Sequence, residues 1–178
     1  MSSTDSPVRL GIVGTNFISD LLCDAAKRAE IPLAAVFSRK RETGEDFAKK
    51  HGIPAVFDDF DDFDDFCKSE LFNAAYVASP NFCHFSQSAA LLAAGKHVLC
   101  EKPITSNVSE FRALRDTALT HGKVLLEAMR PAYDPSFELI RSLLPHCGKL
   151  RRAMFEYSQY SSRYDRFKAW IMTNAFDP

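Results

Sequence analysis

No apolar run in this 178-residue chain approaches the ~20 residues that a membrane helix requires. Nor is there a block of basic residues. With a formal charge of −1, the chain lacks the electrostatic footprint of a protein whose main partner is nucleic acid. Cys23, Cys67, Cys83, Cys100 and Cys147 are odd in number and contain no Cys-x-x-Cys pair, which argues against a disulfide framework or a structural zinc site. Free thiols suit a reducing cytoplasm, the expected location. The first residues, Met1 to Ser6, lack the apolar core of a signal peptide and are expected to form a short disordered tail. What remains is ordinary globular composition, 46% apolar and 25% charged. That is enough chain for one good-sized domain, or one domain and part of another.

Short apolar runs alternate with helical patterns. Strands are expected at Val8–Val13, Leu33–Ser38, Ala55–Phe57, Ala74–Ala78, His97–Cys100 and Lys123–Ala128. Near-continuous apolar strands suit a parallel sheet covered on both faces. Asn107 and Glu110 form a capping-box pattern before Phe111, Leu114 and Leu119, and Gly52, Gly95 and Gly122 stand where helices end. The series predicts a doubly wound α/β domain of the Rossmann type over residues 7–130. From 131 to 178 the character changes to the start of an incomplete α+β domain. Asp134-Pro135 opens a helix bearing Phe137, Ile140, Leu143 and Leu144, and Leu150–Tyr160 reads as one long strand. Trp170, Ile171 and Phe176 are then large apolar residues with nothing in the chain to bury them, a sign of an unfinished domain or an interface.

The segment Asp58–Phe66 repeats Asp-Asp-Phe three times. An acidic metal cluster is one reading. The period favours another: Phe60, Phe63 and Phe66 share a helix face, with aspartates outward or in the first turn, and no metal is expected.

Chemistry concentrates after the strands. The first runs into Gly11-Ile12-Val13-Gly14-Thr15-Asn16-Phe17-Ile18-Ser19, a degenerate dinucleotide loop with Asn16 at the second glycine position. Asparagine tolerates positive φ, so the turn is expected to survive, although the side chain crowds the approach to phosphate. The second strand ends in Ser38-Arg39-Lys40-Arg41, with no carboxylate until Glu42. A hydroxyl followed by a guanidinium suits a 2′-phosphate, favouring NADP ahead of NAD; a solvated basic turn is the plainer alternative. Ser79-Pro80-Asn81 and His84 follow the fourth strand, where Asn81 serves equally well as a helix cap. Glu101-Lys102-Pro103 follows the fifth, at the edge where such folds bind ligands. There the glutamate could orient the lysine ammonium and the proline hold the turn. A solvated surface pair is the plain alternative. Cys100 next to it reads as a small buried residue more readily than as a reactive thiol.

In this order, Gly11-x-x-Gly14-Thr15-Asn16-Phe17-Ile18, Ser38-Arg39, Ala78-Ser79-Pro80-Asn81-x-x-His84, Cys100-Glu101-Lys102-Pro103 and Glu127-Ala128-Met129 resemble the Gfo/Idh/MocA oxidoreductases. The resemblance covers Val8 to about Tyr160. It implies hydride transfer between a nicotinamide cofactor and a sugar-like or other small hydroxyl or carbonyl substrate. Lys102 would be the catalytic group, partly desolvated beside the nicotinamide and so lowered in pKa. Gly14, Thr15, Asn16, Phe17 and Ile18 would form the cofactor loop and Ser38 and Arg39 the adenosine end. Ser79, Pro80, Asn81 and His84 would line the middle of the cleft, Glu101, Glu127 and Ala128 the nicotinamide end, and Arg130 would face substrate. The family's second domain also implies homo-oligomer contacts. Its usual Asp-x-x-x-His pair is absent after Ala153, which implies a chain truncated within that domain. A non-catalytic dinucleotide-binding module or sensor is the alternative.

Overall fold

The computed structural model describes residues 7–58, 63–161, 164–165 and 167–169. Six parallel strands, β1 (Leu10–Val13), β2 (Leu33–Ser38), β3 (Ala55–Asp58), β4 (Ala74–Val77), β5 (His97–Cys100) and β6 (Leu125–Glu127), form one sheet in the order β3-β2-β1-β4-β5-β6. The chain winds outward from β1 in one direction, then returns to β4 and winds in the other. Between β1 and β4 lies the switch point at which open α/β sheets leave a crevice. Strand positions agree with the apolar runs and differ at their ends. Val8 is exposed and precedes β1, while Ala78 and Ala128 lie just past β4 and β6, their N–H groups bonded to Val13 and Cys100.

Helices α1 (Phe17–Arg28), α2 (Arg41–His51), α3 (Phe63–Lys68), α4 (His84–Ala93) and α5 (Val108–Thr120) cover both faces. Alternate side chains along each strand enter opposite cores. Ile12, Val36 and Tyr76 pack with Cys23 of α1 and Phe47 of α2, whereas Val13, Phe37, Val77 and Cys100 pack with Leu91, Leu92 and Leu114 of α4 and α5. Gly52, Gly95 and Gly122 follow α2, α4 and α5 at φ of 71°, 80° and 61°. Asn107 caps α5 by accepting from Glu110 N–H at 3.0 Å. Glu110 reaches back to Ser106 N–H at 2.9 Å, one residue earlier than a capping box requires.

Phe63 and Phe66 fall within α3, while Phe60 lies outside the described residues. Phe66 is fully buried, 4.5 Å from Phe72 and 5.4 Å from Phe57 between ring centroids. A short helix has little intrinsic stability, so this aromatic packing must hold α3 against the sheet. Asp64 and Asp65 occupy its exposed first turn.

A second unit begins at Asp134. Asp134 accepts from Ser136 N–H at 2.8 Å and starts α6 (Pro135–Leu143) with proline in its first turn, as the sequence predicts. The strand predicted at Leu150–Tyr160 does not form, and Phe155 and Tyr157 are exposed. A strand needs a ladder partner, and no segment among the described residues offers one. Trp170, Ile171 and Phe176 lie outside the described residues. Among the described residues no helix is long and apolar enough to cross a membrane.

Asp20 ties α1 to α2: its Oδ1 accepts from Lys50 Nζ at 2.8 Å and lies 2.6 Å from His51 Nε2. The hydrogen bonds from Lys50 and His51 hold this carboxyl below its ordinary 3.8. A carboxyl with a depressed folded-state pKa stabilises above its unfolded value, and that contribution is lost as the pH falls through the folded value. Asp20→Asn is therefore expected to lower the urea midpoint at neutral pH and to converge with wild type in strong acid. A constant gap across that range would exclude the tie. Phe66→Ala should cost about 3–5 kcal/mol in the same denaturation measurement.

Candidate functional site

The C-terminal ends of β1, β2, β4 and β5 converge at one edge of the sheet, and most of the residues singled out in the sequence gather there. Gly14 closes β1 with φ of 96°, and a Cβ on it would lie 2.8 Å from the Ala78 carbonyl oxygen. Only a bare backbone fits there. Asn16 does not adopt the positive φ expected of it. It is extended (φ −86°, ψ 176°) and caps α1, its Oδ1 accepting from Ile18 N–H at 2.9 Å and Ser19 N–H at 3.3 Å. Its Nδ2 donates to Ala78 O at 2.6 Å. The asparagine thus satisfies two of the helix's N-terminal donors itself, leaving those of Asn16 and Phe17 at the mouth of the turn. Thr15 and Ile18 are half-buried, and Phe17 is exposed.

At the end of β2, Ser38 is buried and Arg39 exposed. Arg41 is engaged by Glu45 at 2.9 Å and Asp58 at 3.2 Å, whereas among the described residues no ion pair holds Arg39. Arg39 is within electrostatic reach of Cys83: burial pushes that thiol up, and the guanidinium charge opposes the shift.

The loop after β4 is more occupied than its sequence suggests. Ser79 donates its hydroxyl to Gln87, and Pro80 and Asn81 are exposed. Asn81 does not cap α4, because a 3₁₀ turn over Asn81–Cys83, closed by Cys83 N–H on Pro80 O at 2.8 Å, separates it from the helix. His84 is only 1% exposed, with Nδ1 2.8 Å from Pro103 O and Nε2 2.9 Å from Ser79 O.

Glu101 is buried and does not orient the Lys102 ammonium. Its Oε1 accepts from the Tyr76 hydroxyl at 2.7 Å. Burial, with the Glu101 hydrogen bond and charge added, drives the Tyr76 phenol far above its ordinary pKa, keeping it a proton donor. Glu127 of β6 accepts from Ile104 N–H at 3.0 Å, and the Lys102–Pro103 peptide bond is cis. Lys102 itself is exposed rather than desolvated. Burial pushes the Cys100 thiol up to about 12, which keeps it a protonated core residue. Ala128 extends the ladder beside Cys100, and Arg130 is exposed in the 3₁₀ turn that follows. Tyr76 and Gln87 are the two participants the motifs did not identify. Tyr76 carries one usable signal, since a phenol inside an apolar strand requires a partner for its hydroxyl.

A family model described as "Oxidoreductase family, NAD-binding Rossmann fold" (Gfo/Idh/MocA) matches residues 8–129. The chain is 40% identical over 172 residues to scyllo-inositol 2-dehydrogenase (NADP(+)) IolU of Bacillus subtilis, covering 96% of this chain and 52% of that protein. It is 38% identical to the uncharacterized oxidoreductase YgjR of Escherichia coli, with the same coverage of both chains. Among solved structures, scyllo-inositol dehydrogenase from Lactobacillus casei with bound NAD(H) and scyllo-inositol superposes with a TM-score of 0.70. That likeness has 25% identity and covers 79% of this chain and 42% of that one. The chain spans about half the length of the curated relatives it matches. With the family model spanning most of the sequence and close relatives along nearly all of it, the chain belongs to the Gfo/Idh/MocA oxidoreductase family.

Proposed function

We propose that the protein is the cofactor-bearing part of an NADP-dependent dehydrogenase or reductase acting on a cyclic polyol or related sugar-like substrate. The observation that carries this reading is the exposed Lys102, standing on an anchored loop at the same sheet edge as a glycine turn too tight for any Cβ. The turn allows backbone to approach a pyrophosphate closely. Gly14, Thr15, Asn16, Phe17 and Ile18 would hold that end of the cofactor. Ser38 and Arg39 would hold the adenosine ribose, with Arg39 free to pair with a 2′-phosphate. Ser79, Pro80 and Asn81 would flank its middle, and Glu101, Glu127 and Ala128 would border the nicotinamide.

When bound, the nicotinamide supplies the hydride acceptor or donor. The work of this chain is then orientation and proton management. Lys102 Nζ would hydrogen-bond the substrate oxygen, its ammonium giving a proton as the carbonyl is reduced and its neutral amine taking that proton as the alcohol is oxidised. Arg130, exposed beyond β6, is the candidate for a second polar contact to substrate. The name of the Bacillus subtilis relative supports both the NADP preference and the polyol class.

Fluorescence titration should show tighter binding of NADPH than of NADH. Arg39→Ala should weaken NADPH binding by about tenfold or more, as expected for losing ~1.5–3 kcal/mol of charged hydrogen bonding, with little effect on NADH. Equal losses for both cofactors would remove the 2′-phosphate assignment. Lys102→Ala should retain NADPH affinity while lowering kcat on scyllo-inositol by a factor of about 10²–10⁴. Unchanged turnover in that variant would remove the lysine from the chemistry.

A further inference from the structure

His84 carries no clear duty in that reading, yet its surroundings are unusual. The ring is buried to 1% exposure at the first residue of α4, and both nitrogens face main-chain carbonyl oxygens. One belongs to Ser79 in the loop after β4 and the other to Pro103 in the loop after β5. A carbonyl oxygen only accepts. A neutral imidazole has one N–H, so it satisfies one carbonyl and sets a bare lone pair against the other. Both contacts become hydrogen bonds only when each nitrogen carries a proton.

We infer that His84 is a positioning residue, a doubly protonated clamp that fixes the Lys102 loop to the Ser79 loop flanking the cofactor and thereby couples cofactor seating to the placement of the Lys102 amine. The inference rests on the proposed dehydrogenase reading. The clamp completes a frame around the lysine. Glu101 is held by Tyr76, Pro103 by His84 and Ile104 by Glu127, from β4, α4 and β6 respectively, so every neighbour of Lys102 is anchored from a different element. Of these ties, His84 alone also reaches the Ser79 loop. Two charge-assisted hydrogen bonds lower the cost of the buried charge. The ionisable groups of the same frame are the Glu101 and Glu127 carboxylates, Lys102 and the Tyr76 phenol. The rest of α4 and the Ser79–Cys83 segment carry no formal charge.

The coupling is testable on the full chain without turnover. The rate at which an acylating reagent modifies Lys102, read by peptide mass spectrometry, is measured with and without saturating NADPH. Wild type should show Lys102 protected by NADPH. His84→Phe, which fills the ring's volume without a donor, should show weaker NADPH binding and, even at saturation, little protection. Wild-type protection in saturated His84→Phe would overturn the clamp, since a purely structural role would leave the lysine in place once cofactor is bound. If that variant does not fold, ring-¹⁵N spectra of the wild-type chain at neutral pH decide the matter. Two slowly exchanging N–H groups on His84 support the clamp, and a single-tautomer pattern overturns it. Failure of wild type to bind NADPH would instead overturn the dehydrogenase reading, while the same spectra still report on the clamp.

Discussion

The carbonyl oxygen of Ala78 is the point on which the cofactor edge depends. It lies just past β4, where a Cβ on Gly14 would come within 2.8 Å of it, and it also accepts the Asn16 side-chain amide at 2.6 Å. The first relation forbids a side chain at the end of β1, and the second draws the start of α1 against β4. Together they narrow the switch point to a slot bordered by backbone. A fold of this class leaves a crevice there by topology alone; these two residues fix the backbone that borders it. Asn16 also takes over the Ile18 and Ser19 donors. A fully glycine-rich loop would leave those donors for the ligand, so any phosphate bound here meets fewer N–H groups and relies more on groups elsewhere in the cleft.

The basic turn after β2 lies at the same end of the sheet. Arg39, Lys40 and Arg41 are equivalent by composition but not in the folded chain. Arg41 is committed to Glu45 on its own helix and to Asp58 at the end of β3, and such exposed pairs contribute little to stability. Arg39, by contrast, is held by no ion pair among the described residues, and its charge reaches Cys83 beyond β4.

Much of the sheet was legible because parallel strands buried on both faces must be apolar throughout, and that pattern survives without knowledge of partners. Strand ends were less legible, since a ladder stops where its neighbour does. At Leu150–Tyr160 the pattern is strand-like but the chain is not, because a strand forms only beside another strand. Asn16 departs from expectation for a chemical reason. The short amide that tolerates positive φ is also among the best helix caps, and the sequence does not say which property is in use. The Ala78 carbonyl opposite it, which only the fold brings there, decides between them.

The orientation of Glu101 follows from register rather than from any motif. Tyr76 pairs with Leu99 across β4 and β5, and Glu101 lies two residues beyond Leu99, on the same face of the pleat. Its carboxylate is therefore directed at the Tyr76 hydroxyl, and Lys102, one residue on, continues from the opposite side. Adjacent in sequence, the acid and the base are separated by the alternation of the strand they follow. The glutamate's oxygen is engaged within the core by a phenol, while the lysine, its neighbours fixed on both sides, stays exposed at the end of the sheet. A salt bridge between the two would have tied the ammonium to the carboxylate. The register of two buried strands is what keeps them apart.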